Sequence, residues 1–301
     1  MRRRAGPLET VSVTVPEAAL DAYEAALASV CGTIGFFLDD EDARTWRVEG
    51  VRDVEADLTP LTDALSIAAL VTGVHAALQR APTEAEGWVL RTQEAFPEQL
   101  VGHRFAIRGT HDRSPHAPGR ITLVLDAGLA FGSGEHGSTR GCLRALERVA
   151  RRKPRRILDL GAGSGILAMA AARLLRRPVL ATDIEPWSVR VARQNAAANR
   201  VGHLVTAVLA DGWRSRGAWS RAPYDLVLAN ILARPLCRMS GALAAHLAPG
   251  GHAILSGLLL SQVPMVLSAH RRHGLILTQV LREGGWATLV VRRGSRGEGN
   301  P

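Results

Sequence analysis

The chain has 301 residues, 47% of them hydrophobic and 4% aromatic, with a formal net charge of +9. That apolar content supports one large core or two smaller ones; no uninterrupted apolar run reaches about 18 residues and no apolar core follows the MRRRAG start, which argues against a membrane span or a signal peptide and leads us to expect a soluble cytoplasmic protein. The three cysteines, Cys31, Cys142 and Cys237, are scattered and odd in number and the ten histidines stand at no recognised ligand spacing, so neither a disulfide framework nor a metal is predicted.

Charge is unevenly spread. Residues 1–100 hold 17 acidic against 8 basic side chains, a net of −9, whereas residues 101–301 hold 11 against 29, a net of +18. An acidic front half suits a basic polypeptide partner and a basic rear half suits a polyanion, unless both are solvated faces. Lysine occurs once, at Lys153, beside 36 arginines, which reads as base-composition bias.

Leu8–Val15 alternates, with Val11, Val13 and Val15 on one side and Ser12 and Thr14 on the other, and predicts a half-buried strand. Pro16 opens a helix through about Ser29, with Leu20, Tyr23 and Leu27 at helical spacing. Thr33–Leu38 and Thr45–Val51 are strands joined by the acidic turn Asp39–Asp42. Pro60 begins another helix, and the apolar stretch Leu70–Leu78 is either its continuation or a closing fourth strand, which periodicity alone does not decide. Residues 1–79 therefore read as a small α+β, ferredoxin-like domain of split β-α-β type. Residues 80–101 read as linker and connecting helix, and 102–293 as a second, α/β domain.

In that second domain Gly102–Gly109 predicts a strand and Thr110–Gly119 a loop with two prolines. The segment Leu125–Gly141 carries Gly128, Gly132, Gly134 and Gly137, too many for a simple connection, and reads as a mobile flap. Ser138 or Thr139 would cap the amphipathic helix that follows, with Leu143, Leu146 and Val149 on one face, and offer a hydroxyl to a ligand. Glu135 and His136 are candidate bases between which spacing does not choose.

The densest signal is RRILDLGAGSGILAMAAARLLRRPVLATD, Arg156–Asp183. The short apolar run Ile157–Leu160 stops at Gly161, Gly163 and Gly165, and a helix, Ile166–Arg176, begins at once. A strand, a tight glycine turn and a helix N-terminus bring free N–H groups close to an anionic or nucleotide ligand. Val179–Thr182 is a second buried strand ending on Asp183, eighteen residues past Gly165, where a carboxylate can accept two bonds from ribose hydroxyls. A helix from Pro186 to Asn199 precedes the strand Val205–Leu209, with Asp211 just past its end. Tyr224–Ala229 is the next strand and finishes on Asn230; a helix through Leu247 is stopped by Pro249, Gly250 and Gly251 ahead of the strand Ala253–Ser256. Leu275–Leu281 and Ala287–Arg293 close the chain as a hairpin, and the polar tail Gly294–Pro301 reads as disordered. Strands alternating with helices give a seven-stranded, mostly parallel sheet with one antiparallel strand.

In such sheets ligands sit at the carboxyl ends of the strands, where the winding reverses, and Asp159, Gly161, Asp183, Asp211 and Asn230 all fall there. Asp211 is placed to accept from an adenine amino group or is a turn aspartate; Asn230 lies near the reacting centre or is a strand-end cap. The dinucleotide fingerprint G-x-G-x-x-G would need glycine at 166, where the chain has isoleucine. The spacing D-x-G-x-G-x-G, counted from Asp159 and including Gly163, instead resembles the first motif of class I, Rossmann-like S-adenosylmethionine-dependent methyltransferases.

The resemblance sharpens at the flap, Ala130-Phe131-Gly132-Ser133-Gly134-Glu135-His136, and at Ala229-Asn230-Ile231-Leu232, Pro249-Gly250-Gly251, Leu255-Ser256-Gly257 and Trp286. These motifs, in this order, resemble the PrmA family, the methyltransferases that modify protein eleven of the large ribosomal subunit. The likeness spans about Gly102–Arg293, and the front domain only by size and layout. It implies cofactor binding through Thr139, Gly161, Asp183 and Asn230, a front domain that grips the ribosomal protein, and methylation of lysine side chains and an N-terminal amine. A monomer that requires neither nucleic acid nor a membrane is expected, with methylation of a nucleic-acid base or a small molecule as the alternative. Many members carry Thr-His-Pro-Thr-Thr in the flap; here Glu135-His136-Gly137-Ser138-Thr139 stands, so Thr139 carries over and a role for Glu135 does not. Other amine methyltransferases place Pro-Pro-aromatic after the asparagine, where this chain has Ile231 and Leu232.

Overall fold

The computed structural model describes residues 8–31, 33–40, 45–82, 98–109, 117–125 and 137–294. The chain divides into two units, Met1–Trp88 and Val89–Pro301.

In the first unit the elements run β1 (Leu8–Pro16), α1 (Leu20–Ala28), β2 (Thr33–Asp40), β3 (Thr45–Asp53), α2 (Thr59–Thr72) and β4 (Gln79–Pro82). The antiparallel sheet has the order β2-β3-β1-β4, the arrangement of a ferredoxin-like domain. Along β1, Val11, Val13 and Val15 are buried, as are Leu20, Tyr23 and Leu27 of α1; Thr14 faces out as expected, but Ser12 on the same side is buried. The carboxylate of Glu9 is buried and joins β1 to its neighbours, pairing with Arg52 of β3 at 3.3 Å and Arg80 of β4 at 2.9 Å.

Of the two readings left open for Leu70–Leu78, continuation of the helix holds as far as Thr72, and the fourth strand lies elsewhere. Gly73 takes a left-handed conformation, φ 70°, and caps α2, so Leu70 and Val71 are exposed helix positions. The strand that closes the sheet is Gln79–Pro82, all but its first residue inside the stretch read as linker. The turn at 41–44, the rest of the expected connecting helix, the loop at 110–116, the flap at 126–136 and the tail beyond Gly294 lie outside the described residues.

The second unit contains a small sheet, β5 (Gln99–Val101), β6 (Phe105–Gly109) and β7 (Ile121–Leu125), of which only β6 was foreseen. Then follow α3 (Gly137–Val149), β8 (Ile157–Leu160), α4 (Ile166–Leu175), β9 (Val179–Asp183), α5 (Pro186–Ala198), β10 (Val205–Leu209), the single turn α6 (Arg216–Trp219), β11 (Tyr224–Asn230), α7 (Ala233–His246), β12 (Leu247–Leu259), α8 (Val263–Arg271), β13 (Leu275–Glu283) and β14 (Trp286–Arg293). The sheet order is β10-β9-β8-β11-β12-β14-β13. β10 through β12 are parallel, and β14 is antiparallel to both β12 and β13. The winding therefore reverses between β8 and β11, as the ligand rule requires.

Central strands are apolar on both faces, as a covered parallel sheet demands. Leu226 and Leu228 pack with α3, α4 and α5 in one layer; Val227 and Ala229 pack with α7 and α8 in the other. Strand β12 starts well before Ala253, because Leu247 already pairs with Tyr224 of β11.

Candidate active site

Gly161 ends β8 with φ 70°, and its N–H donates to the Thr182 carbonyl at 2.8 Å. A Cβ there would stand 2.4 Å from Ile231 Cγ2, so only glycine lets the turn pass beneath the loop that follows Asn230. Two residues on, the Gly163 N–H donates to Asp183 Oδ2 at 2.8 Å, and the Glu185 N–H donates to Oδ1 at 2.9 Å. These bonds fix the carboxylate at the end of β9 and leave one lone pair on each oxygen, the acceptor pattern that a vicinal diol fills. Next to it in register, Leu209 ends β10, and Leu209 and Ile184 are 56% and 60% exposed, apolar surface suited to a flat ring.

Asp211 follows Leu209 at the start of a helical turn and makes no capping bond; its partner is Arg214 Nη1 at 3.0 Å. Both side chains are largely exposed, and such a pair is worth about 0–1 kcal/mol, so it leaves Asp211 open to exchange partners.

Asn230 ends β11, half-buried. Its Nδ2 donates to Thr139 Oγ1 at 3.3 Å, while its buried Oδ1 has no partner among the described residues. Leaving a buried acceptor unsatisfied costs about 1–3 kcal/mol, so this oxygen is poised for an incoming N–H. Asp159 is a second such group: Oδ2 accepts the Ala168 N–H at 2.8 Å and Oδ1 has no partner among the described residues. Burial, reinforced by the charge of Asp183 and partly offset by the Ala168 bond, pushes its carboxyl up to about 7.

Thr139 differs from expectation in one respect. The helix begins at Gly137, so Ser138 and Thr139 sit in its first turn and do not precede it as caps. A buried hydroxyl cluster holds that turn in place. Ser256, the register partner of Asn230 on β12, lies 3.2 Å from the Ser138 carbonyl and 2.8 Å from Thr288 Oγ1 of β14. Glu283 of β13 adds ion pairs to Arg144 and, at 3.8 Å, Arg140 of α3. Ser256, Thr288 and Glu283 escaped the sequence reading; the Leu255-Ser256-Gly257 motif was noticed, but hydroxyls paired across β12 and β14 leave no periodic trace.

Thr139, Gly161, Gly163, Asp183, Asp211 and Asn230 thus occupy one edge of the sheet: the ends of β8, β9, β10 and β11 and the start of α3. Glu135 and His136 lie outside the described residues. Among the described residues the buried Oδ1 atoms of Asn230 and Asp159 lack partners and the carboxylate of Asp183 keeps free lone pairs, so this edge presents acceptors to an incoming donor.

The sequence profile of the family described as Ribosomal protein L11 methyltransferase (PrmA) matches residues 9–294. A Rhizobium meliloti protein named Ribosomal protein L11 methyltransferase is 42% identical over 278 residues, 89% of this chain and 95% of that one. Its namesake from Bradyrhizobium diazoefficiens is 47% identical over 211 residues, 70% of this chain and 71% of the other. Among solved structures, the ribosomal protein L11 methylase of Lactobacillus delbrueckii subsp. bulgaricus superposes with a TM-score of 0.59 at 33% identity, covering 65% of this chain and 98% of that one. With the profile running through both units and the glycine turn, Asp183 and Asn230 at one sheet edge, the chain belongs to the ribosomal protein L11 methyltransferase family.

Proposed function

We propose that this chain transfers methyl groups from S-adenosylmethionine to lysine side chains and an N-terminal amine of ribosomal protein L11, acting in the cytoplasm as a monomer. The observation that carries this reading is the Asn230 amide: its nitrogen is tied to Thr139 and its buried oxygen has no partner among the described residues. Gly161 and Gly163 would let the backbone approach the cofactor, Asp183 would take its ribose, Asp211 its adenine amino group, and Thr139 and Asn230 its amino-acid end. The bound cofactor supplies a methyl made electrophilic by its sulfonium.

What the protein must add is alignment and a neutral amine. Holding reactants in line contributes on the order of 7 to 11 kcal/mol. A lysine amine has a reference pKa of about 10.4, so in water at pH 7 it is almost wholly protonated and lacks a lone pair. An apolar pocket beside a positive centre favours the neutral form, and Asn230 Oδ1, accepting one N–H, turns the lone pair toward the methyl. No aromatic residue stands at Ile231 or Leu232, so orientation rests on hydrogen bonding and shape.

The first unit would hold the substrate. Its sequence is acidic, opposite in sign to a basic ribosomal protein, and α2 exposes Ile67, Leu70 and Val71 at 65%, 87% and 75%.

Replacing Asn230 with alanine should abolish most turnover while cofactor affinity, measured by calorimetry, falls less than in Asp183→Ala. Equal losses of affinity and turnover in both variants would remove the aiming role.

A further inference from the structure

We infer that the edge of the large sheet opposite the candidate active site anchors the phosphate backbone of structured RNA. At that edge, where α3 and α4 end and β8 and β9 begin, a cavity of about 600 Å³ is lined by Arg104, Arg151, Lys153 and Arg177, with Glu147 the one carboxylate among its lining residues. Glu147 is occupied, accepting the N–H groups of His103 and Arg104 at 3.0 and 2.7 Å. All four cations are exposed, and none has an ion-pair partner among the described residues. The run Arg148–Arg156 beside the cavity holds six basic residues and no acidic one.

Backbone geometry adds that basic residues recur at this edge beyond the cavity lining; Lys153 belongs to both sets. Among the described residues three non-glycines have positive φ: Lys153 at 54°, Arg176 at 53° and Arg200 at 58°. Each follows the C-terminus of one of the three helices layered on the same sheet face, so all three sit toward this edge. A left-handed conformation costs an L-residue roughly 1–2 kcal/mol, and glycine is the usual occupant. The chain uses 30 glycines elsewhere, yet keeps a cation at all three places. Helix dipoles do not account for the surplus, because Arg148 and Arg173 already stand in the last turns of α3 and α4.

Four cations and a flanking basic run exceed what one small anion needs and suit a repeating one. Guanidinium forks match phosphate oxygens, and with no Phe, Tyr or Trp in the lining and His103 its one ring, the contact is chiefly to the backbone. Structured RNA is the polyanion that accompanies ribosomal proteins. Because this edge is the far end of the strands from Gly161 and Asp183, RNA and cofactor bind together, and transfer does not require the contact.

The test is fluorescence anisotropy of a labelled RNA hairpin with the full chain across a salt series. The probe variant carries Arg104→Glu, Arg151→Glu, Lys153→Glu and Arg177→Glu; the control carries Arg234→Glu, Arg238→Glu, Arg271→Glu and Arg272→Glu, exposed arginines of the other helix layer. Losing four phosphate contacts should weaken binding at least about tenfold and lower the slope of log K against log salt by about 3. The control should stay within about twofold of wild type, and methyl transfer to L11 should persist in the probe variant. If the reversal set fails to fold, Arg151→Ala with Lys153→Ala should lower the slope by about 1 to 2. Equal weakening in probe and control, no binding by wild type, or displacement of the hairpin by inorganic phosphate at concentrations that leave the salt series unaffected would each overturn the proposal.

Discussion

At the scale of single residues, the site is a set of acceptors that the fold leaves unfilled. Asp159 gives the clearest pH signature. Its carboxyl titrates near 7 in the folded chain against an ordinary value of about 3.8, so the folded state holds a proton that the unfolded state has released. Its contribution is fully present below about pH 4 and is lost as pH rises toward 7, an effect on the order of a few kcal/mol. Asp159→Asn should therefore flatten the dependence of cofactor-free melting temperature on pH between 4 and 7; an unchanged slope would place the titration elsewhere. Thr139→Val keeps the shape and removes the acceptor of the Asn230 amide. Single-turnover methyl transfer at saturating cofactor should slow about tenfold, one hydrogen bond's worth, and an unchanged rate would show that Asn230 aims itself. Asp183 and Asn230 were legible in the sequence because each stands where an apolar run stops. The orphaned oxygens were not, since they depend on which neighbours the fold withholds.

At the scale of elements, the hairpin β13–β14 supports the catalytic side of α3. A Cβ on Gly141 would lie 2.2 Å from Thr288 Oγ1, so the Thr288 side chain of β14 packs directly on the backbone of α3. Gly141→Ala should destabilise the protein by about 1–3 kcal/mol in urea unfolding, and adding Thr288→Ala should recover part of that loss. Additive losses would mean that the helix and strand are not in contact there. Strands with strong apolar runs, β8 through β11, were legible from hydropathy. Strand β4 was not, because all four of its residues are exposed and it joins the sheet only through backbone pairing with β1. Leu70–Leu78 left helix and strand open for the converse reason: Leu70 and Val71 are apolar but face outward on a helix that Gly73 terminates. In α3 the helix was read correctly and its start was not, since Gly137 is helical where a glycine-rich loop was expected to continue.

At the scale of the whole molecule, the two units carry opposite net charge in sequence. The first is acidic and bears an apolar helix face; the second holds the cofactor edge and, at the other end of its strands, a basic edge. The charge split was visible in the sequence, but the separation of basic edge from cofactor edge needed the sheet order. The central claim, methyl transfer to amines of ribosomal protein L11, is tested most directly by mass spectrometry of L11 after incubation with the protein and S-adenosylmethionine. The account predicts methyl increments mapping to lysine side chains and the N-terminal amine, absent with Asn230→Ala. Unmodified L11, or methyl groups recovered on RNA added to the same reaction, would contradict it.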